Sequence, residues 1–397
     1  MLNPAQQRHY QEEGFLILRN AFSNDELNSL DHAADLYPPL DDGKNKGGVG
    51  NWPNPGRYTL AKSSWCDPAF VYFAEHPTIV NGAKELLSDD VHLTAFVLYD
   101  RTPGGAGLPA HHDYKRWRPV GSSLNWLFTI IPMCDYDDST GPLLIAPRSH
   151  RTERLIDRGE GALHVSEAVC PDSIDFIDPQ LNRGDLLYMN MHLWHKAENN
   201  KSKLHRRGLF NKYTSKHCPP ATGYYVFSDD VHDLFSEAGK DLIAVHSNKV
   251  IETTRLLLQR EGQSGDEYFF VFDDQKLRLP GGPVYFEDAI PDWDIGNYIG
   301  ALQNNLLKEI RLETPWVTYI GDYEENEHLC RIYAYPLNKN GFPVPYSEGR
   351  WISAVEIQDQ NFSYGYEKKA ITDWKDPSMI RGKGLSQAKC RIDQFAY

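Results

Sequence analysis

Apolar positions at the start of the chain change spacing twice, and the changes predict helix, strand, helix. Asn3-Pro4 reads as a helix start, Gly14 to Arg19 as a short strand, and Ser23 with Glu26 three residues later as the capping box of a second helix. Residues 41 to 58, "DDGKNKGGVGNWPNPGRY", have no period and many Gly, Pro and Asn. They predict a long loop, and such loops in compact domains are often functional: a lid or a disordered segment is expected. From Val91 to Tyr213 the apolar runs are of strand length: "VHLTAFVLY", "SLNWLFTIIPM", "PLLIAP", "IDFIDP", "DLLYMNM" and "RRGLFNKY". Gly, Pro and Asp turns separate them with no helix-length period between, which predicts an antiparallel sandwich or barrel.

The texture changes after Pro219-Pro220. A helix is predicted near "SDDVHDLFSEAG", then strands "VIETTRLLLQRE" and "EYFFVFDD", an amphipathic helix "ALQNNLLKEIRLET", and strands near "WVTYIGDY", "HLCRIYAYPL" and "RWISAVEI". These divide the chain into a β domain over residues 1–225, a mixed α/β unit over 245–360, and a charged tail, 361–397, expected to be only partly ordered. A length of 397 residues suits two cores.

Composition narrows the function. A formal charge of −14 argues against nucleic acid or an anionic membrane as the main partner and leaves a small molecule. The six cysteines are scattered without a C-x-x-C pair and read as reduced thiols. No basic segment followed by an apolar run opens the chain and no apolar stretch reaches ~18 residues, so a cytoplasmic protein is expected.

Candidate chemistry lies in the β region. A non-haem Fe(II) site needs two imidazoles and one carboxylate on one face of the metal. "LPAHHDYKRWRP" supplies His111-x-Asp113, two residues that share a face of an extended strand while His112 points away. The third ligand must come from a later strand that returns beside the first, where His192 and His195 are candidates on opposite faces of a regular strand. A carboxylate-bearing co-substrate needs a guanidinium fork, and of Arg206 and Arg207 one should face inward.

Residues 5 to 215 resemble the phytanoyl-CoA dioxygenase family of Fe(II)/2-oxoglutarate oxygenases, through "EEGFLILRNAFSNDEL", "HHDYKRWRP", "DDSTGPLLIAPRSHR" and "GDLLYMNMHLWHKAENNKSKLHRRGLFNKY". The resemblance implies a double-stranded β-helix of jelly-roll type, with Fe(II), 2-oxoglutarate and O₂ as cofactor and co-substrates. Its pattern of His, Asn at +5, Ser or Thr at +7 and Arg at +11 fits His195, Asn200, Ser202 and Arg206, whereas His192 leads to Ala197, Asn199 and Lys203. By this match His111, Asp113 and His195 are the metal ligands and catalytic centre, and Arg206 grips the far carboxylate of 2-oxoglutarate. Arg101 precedes a Pro-Gly turn where the family often has a cation, and is expected either to reach the same co-substrate or to be a solvated loop charge. Tyr114 and Trp117, with Asn125 or Trp126, are candidate substrate contacts, with core packing the alternative for the aromatics; His205 is a surface imidazole, His192 a strand side chain, and His150 shapes a turn. Two residues depart from the pattern: Ala197 replaces a small polar residue that supports 2-oxoglutarate, and Thr140-Gly141-Pro142-Leu143 stands for Asn-Gly-Pro-Leu. Retention of Asp113 favours hydroxylation or desaturation over halogenation, on a small molecule of specialised metabolism.

Residues 248 to 358 resemble a degenerate Nudix domain. Gly281-x₅-Glu287 begins the box; Lys308, Glu309, Leu312, Glu313 and Pro315 overlie its second half, one metal glutamate is lost, and the gap between the halves is too long. A packing, substrate-binding or homodimerising role is expected there. The alternatives are a Mg²⁺-dependent diphosphate hydrolase centred on this unit, and a non-catalytic binding protein.

Overall fold

The computed structural model describes residues 1–36, 56–113, 125–151, 172–220, 223–263, 265–285, 298–313, 317–326, 328–337 and 349–375, with a few short pieces between them. The expected loop at 41–58 lies outside the described residues except for its last three.

Helix α1 (Pro4–Glu13) starts on a capping box between Asn3 and Gln6, and Gly14 ends it at φ 85°. Strand β1 (Phe15–Leu18) follows, then α2 (Asn24–Asp35), opened by the Ser23–Glu26 box. After β2 (Gly56–Thr59) come two helices the apolar pattern does not reveal, α3 (Pro68–Ala74) and α4 (Pro77–Leu87). Each begins with Pro in its first turn behind a capping side chain, Asp67 or His76. The β strands are β3 (Val91–Arg101), β4 (Leu108–His111), β5 (Trp126–Pro132), β6 (Leu143–Ile145), β7 (Leu186–Asn190), β8 (His195–Ala197) and β9 (Arg206–Ser215). "IDFIDP" makes only a single bridge, Ile177 to Ile145, where Pro179 has no N–H to extend a ladder.

These strands form two antiparallel sheets, a six-stranded one of order β1-β7-β5-β9-β3-β2 and a three-stranded one of order β4-β8-β6. Phe128, Ile130, Leu143, Ile145, Leu187 and Met189 pack together between them. The outer face of the large sheet is covered by α2, α3 and α4 through Leu30, Phe70, Phe73, Ile79 and Ala83. Every residue of β5 is therefore buried, which is why "WLFTIIP" reads as a continuous apolar run without alternation.

The first core extends beyond the expected boundary at 225. Tyr225, Phe227, Val231, Phe235, Leu242 and Ile243 pack into it, around the short helix α5 (Asp229–His232), so the segment left between the two expected units is part of the first. The second unit holds β10 (Thr253–Gly262), β11 (Gly265–Asp273), β12 (Lys276–Arg278), β13 (Gly281–Pro283), β14 (Ala289–Ile290), β15 (Ile295–Gly296), α6 (Tyr298–Ile310), β16 (Thr318–Glu325), β17 (His328–Pro336) and β18 (Arg350–Ser353). β10 pairs in parallel with β17 and antiparallel with β11 and β13. Leu256 and Leu258 face α6, whereas Leu257 faces the other way, onto α7 (Tyr366–Lys375). The fold does not close at residue 360, because α7 sets Tyr366, Ala370, Ile371 and Trp374, a helical stripe within a mostly charged segment, into the second core.

Between the units, Tyr224 accepts from Arg331 Nη2 at 2.6 Å through its carbonyl and meets His92 Nδ1 of β3 at 3.1 Å through its hydroxyl. Arg331 and Asp322, both buried, pair at 2.7 Å. Among the described residues no helix is long and apolar enough to cross a membrane.

Candidate metal centre

His111 ends β4 and His195 begins β8, and the two are register partners across the small sheet, with ring centroids 4.3 Å apart. Asp113 follows β4, and its amide donates to the Met191 carbonyl at 3.0 Å. One ligand atom from each of His111, Asp113 and His195 lies within 4.8 Å of the others. The tautomers follow from the neighbours. Nδ1 of His111 lies 2.7 Å from the Pro109 carbonyl and Nδ1 of His195 lies 3.0 Å from that of Leu193. A carbonyl only accepts, so both Nδ1 atoms carry the proton and both Nε2 atoms are basic. Nε2 of His195 faces Asp113 Oδ2 at 3.4 Å. Two imidazole nitrogens and one carboxylate grouped this closely suit a divalent transition metal.

A turn delivers His195. β7 ends at Asn190, whose side chain accepts the His192 amide at 3.0 Å, and Ser149 Oγ accepts the Trp194 amide at 2.9 Å. The expectation of one regular strand through 192 and 195 therefore fails at a turn, which leaves His192 outside the metal cluster. His192 is buried and held neutral, its pKa pulled down to about 3 by burial and then by His112 and His150. His112 packs edge-on against Trp194 with centroids 4.9 Å apart, away from the cluster as expected. His150 sits beside Ser149, hydrogen-bonds the Gln11 carbonyl at 3.0 Å, and is lowered to about 4 by burial. His205 bonds the buried Asp100 at 2.9 Å.

The metal cluster opens into a cavity of about 600 Å³, its mouth included, whose wall also carries Arg101 and Arg206. These arginines are register partners on β3 and β9. Arg206 is buried, and among the described residues its Nε and Nη2 meet no hydrogen-bond partner. Its guanidinium lies 3.6 Å from the centre of the Tyr136 ring. Arg101 donates Nη1 to the Glu198 carbonyl at 3.0 Å, and its Nε has no partner among the described residues. Burial, then the neighbouring Arg206, pulls Arg101 down to about 9; burial lowers Arg206 as well. Two buried guanidiniums with unmet donors form a place for a carboxylate. Arg207 points the other way, to Asp100 at 3.0 Å and to Asp35.

Asn200 and Ser202 do not line the cavity. Asn200 Nδ2 donates to the carbonyls of Arg101, Thr102 and Leu204, and its Oδ1 accepts from Ser202. They tie the turn before β9 to the end of β3. Gly141, at φ 89°, lets the Thr140-Gly141 turn pass where a Cβ would come within 2.5 Å of the Glu198 carbonyl. Leu143 then pairs with Ala197, whose methyl lines the cavity. Asn125 turns instead to the Leu87 carbonyl, and Trp126 packs in the core. Tyr114 and Trp117 lie outside the described residues.

Motif spacing does not reveal Tyr136. Its signal is indirect: Gly208, inside β9, is where a Cβ would sit 2.2 Å from the Tyr136 hydroxyl, and glycine within a strand often marks such an approach. Tyr99, Phe128, Met189 and Phe210 complete much of the wall and likewise carry no motif.

In the second unit Glu309 is engaged by Arg278 and by the Gly281 amide at 2.9 Å, Leu312 is buried, and Lys308 and Glu313 are exposed. Glu287 and Pro315 lie outside the described residues. Among the described residues the His111, Asp113 and His195 group is the one found with ligand atoms placed to hold a metal.

Ectoine dioxygenase of Bordetella bronchiseptica is 22% identical to this chain over 236 residues, 54% of this chain and 76% of the relative. Among solved structures, the 2-oxoglutarate-dependent epimerase SnoN of nogalamycin biosynthesis superposes with a TM-score of 0.45 at 17% identity, over 54% of this chain and 85% of its own. EctD from S. alaskensis with 2-oxoglutarate and 5-hydroxyectoine does so at 0.43 and 19%, over 56% and 80%. The model of the phytanoyl-CoA dioxygenase (PhyH) family matches residues 10–208, half of the chain and the part that carries both the metal cluster and the paired arginines, and the chain belongs to that family of Fe(II)- and 2-oxoglutarate-dependent oxygenases.

Proposed function

We propose that this enzyme oxidises a C–H bond of a small molecule, by hydroxylation or desaturation, with His111, Asp113 and His195 holding Fe(II) and Arg206, seconded by Arg101, holding the far carboxylate of 2-oxoglutarate. The observation that carries this reading is a buried guanidinium with unmet donors in the wall of the cavity that also holds a His-Asp-His cluster. When bound, the iron and the keto acid supply the oxidising power drawn from O₂.

The protein's own groups bind, orient and shield. The carbonyls of Pro109 and Leu193 fix the two imidazole tautomers so that Nε2 is presented to the metal. Asp113 offsets one unit of the metal's charge and keeps a carboxylate in the ligand set, which favours oxygen transfer or desaturation over halogenation. Arg206, held over the Tyr136 ring, offers the donors of a planar guanidinium, the geometry a carboxylate accepts. Leu108, Ile130, Leu143 and Met189 give an apolar wall that excludes water and strengthens these charge contacts. The second unit, with its parallel β10/β17 pair and helix α6, we read as a Nudix-like domain serving packing or binding.

Anaerobic titration of the Fe(II)-loaded enzyme with 2-oxoglutarate should develop the visible charge-transfer band of the chelate, and His195→Ala should abolish it. No band in the wild type, or an undiminished band in the variant, rejects the assignment. O₂-dependent succinate release, measured across candidate substrates, then identifies the reaction.

A further inference from the structure

The second core encloses a charge that its neighbours do not meet. Arg255, near the start of β10, is 6% exposed, and among the described residues its Nε and Nη1 have no hydrogen-bond partner. Alternation along the strand puts it on the face of Leu257, against α7, and away from the α6 face on which Leu256 and Leu258 pack. Glu367, the second residue of α7, is fully buried on that same side. One of its carboxyl oxygens accepts the Leu279 amide at 2.8 Å, and the other, Oε2, has no partner among the described residues. Leu279 stands two residues before Gly281, the register partner of Arg255, so β13 and α7 together bring the carboxyl to the guanidinium.

The two groups do not cancel each other. Burial outweighs the Leu279 amide, Arg255 and Arg278 and raises Glu367 to about 8, so at neutral pH it keeps its proton and is a neutral donor. A guanidinium stays charged. The other groups around Glu367 leave that charge standing: Arg278 is engaged by Glu309, and Cys330 of β17, raised to about 11 by burial, and Tyr366, raised further, are neutral. A buried cation without a counter-charge is costly, and an anion placed between it and a neutral carboxyl donor offsets that cost. The depth of both groups suits an anion of few atoms.

We propose that Arg255 and Glu367 form a second ligand site, on the α7 face of the second unit, which holds a small oxoanion of carboxylate or phosphate type between the guanidinium and the carboxyl group. The site lies across the sheet from α6, the helix that carries Glu309, and is separate from the cavity of the first unit. It depends on neither the Nudix-like reading nor the co-substrate reading.

The test is calorimetric titration of the full chain with acetate and with inorganic phosphate, at constant ionic strength in chloride. An anion-binding component should survive Arg206→Gln and weaken at least about tenfold in Arg255→Gln, the order that a hydrogen bond to a charged group carries. The tighter of the two anions names the ligand class. Arg255→Gln should keep the charge-transfer band with Fe(II) and 2-oxoglutarate, because the first unit is untouched. Acetate affinity should fall about tenfold between pH 7 and 9 as Glu367 loses its proton. Glu367→Gln keeps a neutral donor and should bind acetate at pH 7 within about threefold of wild type, without that fall. A component that vanishes in Arg206→Gln, or that is equal in wild type and Arg255→Gln, overturns the proposal, as does a fall with pH that Glu367→Gln retains. If Arg255→Gln does not fold, the Glu367→Gln profile decides alone.

Discussion

Single residues at this site are held by neighbours that do no chemistry. Arg206 is a buried cation whose Nε and Nη2 have no hydrogen-bond partner among the described residues, and its visible compensation there is the face of Tyr136. Tyr136 is itself pinned, its hydroxyl donating to the Arg207 carbonyl at 3.0 Å, so the stack and the strand fix each other. Behind the metal cluster, buried imidazoles are kept neutral, and this gives the fold a pH dependence. His150 has its pKa lowered to about 4, from 6.5, chiefly by burial. Below pH 6.5 the unfolded chain takes up a proton that the folded chain refuses until about pH 4, so stability falls as pH drops through that window. Chemical denaturation should show His150 alone removing about 2 kcal/mol between pH 7 and 4.5, and His150→Gln should reduce the loss by that share. An equal loss in the variant would show that His150 is not a source of the acid sensitivity.

At the scale of elements, the site depends on three turns delivering strand ends to one place. The turn after β7 carries His195 past His192, Gly141 brings β6 against β8, and Asn200 fastens the β8–β9 turn to β3. Asn200 therefore governs where Arg101 and Arg206 meet without touching either guanidinium. Asn200→Ala removes a donor shared by three carbonyls and should lower stability by about 1–3 kcal/mol. The anaerobic titration should show weaker 2-oxoglutarate binding with near-normal Fe(II) retention, because the metal ligands are anchored by other turns. Equal losses of metal and co-substrate would mean that the turn supports the whole cavity.

Across the whole molecule, the second unit joins the first through Tyr224, which bonds His92 on one side and Arg331 on the other. The Arg331–Asp322 pair is almost fully buried, so removing one partner strands a charge. Arg331→Met should destabilise the enzyme by about 3–5 kcal/mol, while Arg331→Met with Asp322→Leu should restore much of that, since an apolar pair of similar volume avoids the desolvation cost. Denaturant titration of the three proteins checks this; a double variant no more stable than Arg331→Met would place the value of the pair in the Tyr224 contact.

The sequence by itself determined the parts of this protein that depend on neighbours along the chain. Capping boxes at Asn3 and Ser23, the long apolar strands, and the linked spacing of His195, Asn200, Ser202 and Arg206 are local patterns, and α1, α2, β3, β5, β7 and β9 stand where those patterns put them. Local pattern did not reach α3 and α4, whose compact segments carry little period, or the docking of residues 225–243 and 366–374, where a few apolar positions count only once a core is there to receive them. Only the tertiary structure decided what lies beside what. Strands far apart in the chain set Arg101 against Arg206, Tyr136 beneath Arg206, Gly208 beside Tyr99 and Tyr136, and Glu309 in the grip of Arg278. Spacing along one strand shows which face a side chain takes, but the groups that share a buried cavity are chosen by how separate strands pair and how sheets pack, and that depends on contacts no single stretch of sequence contains.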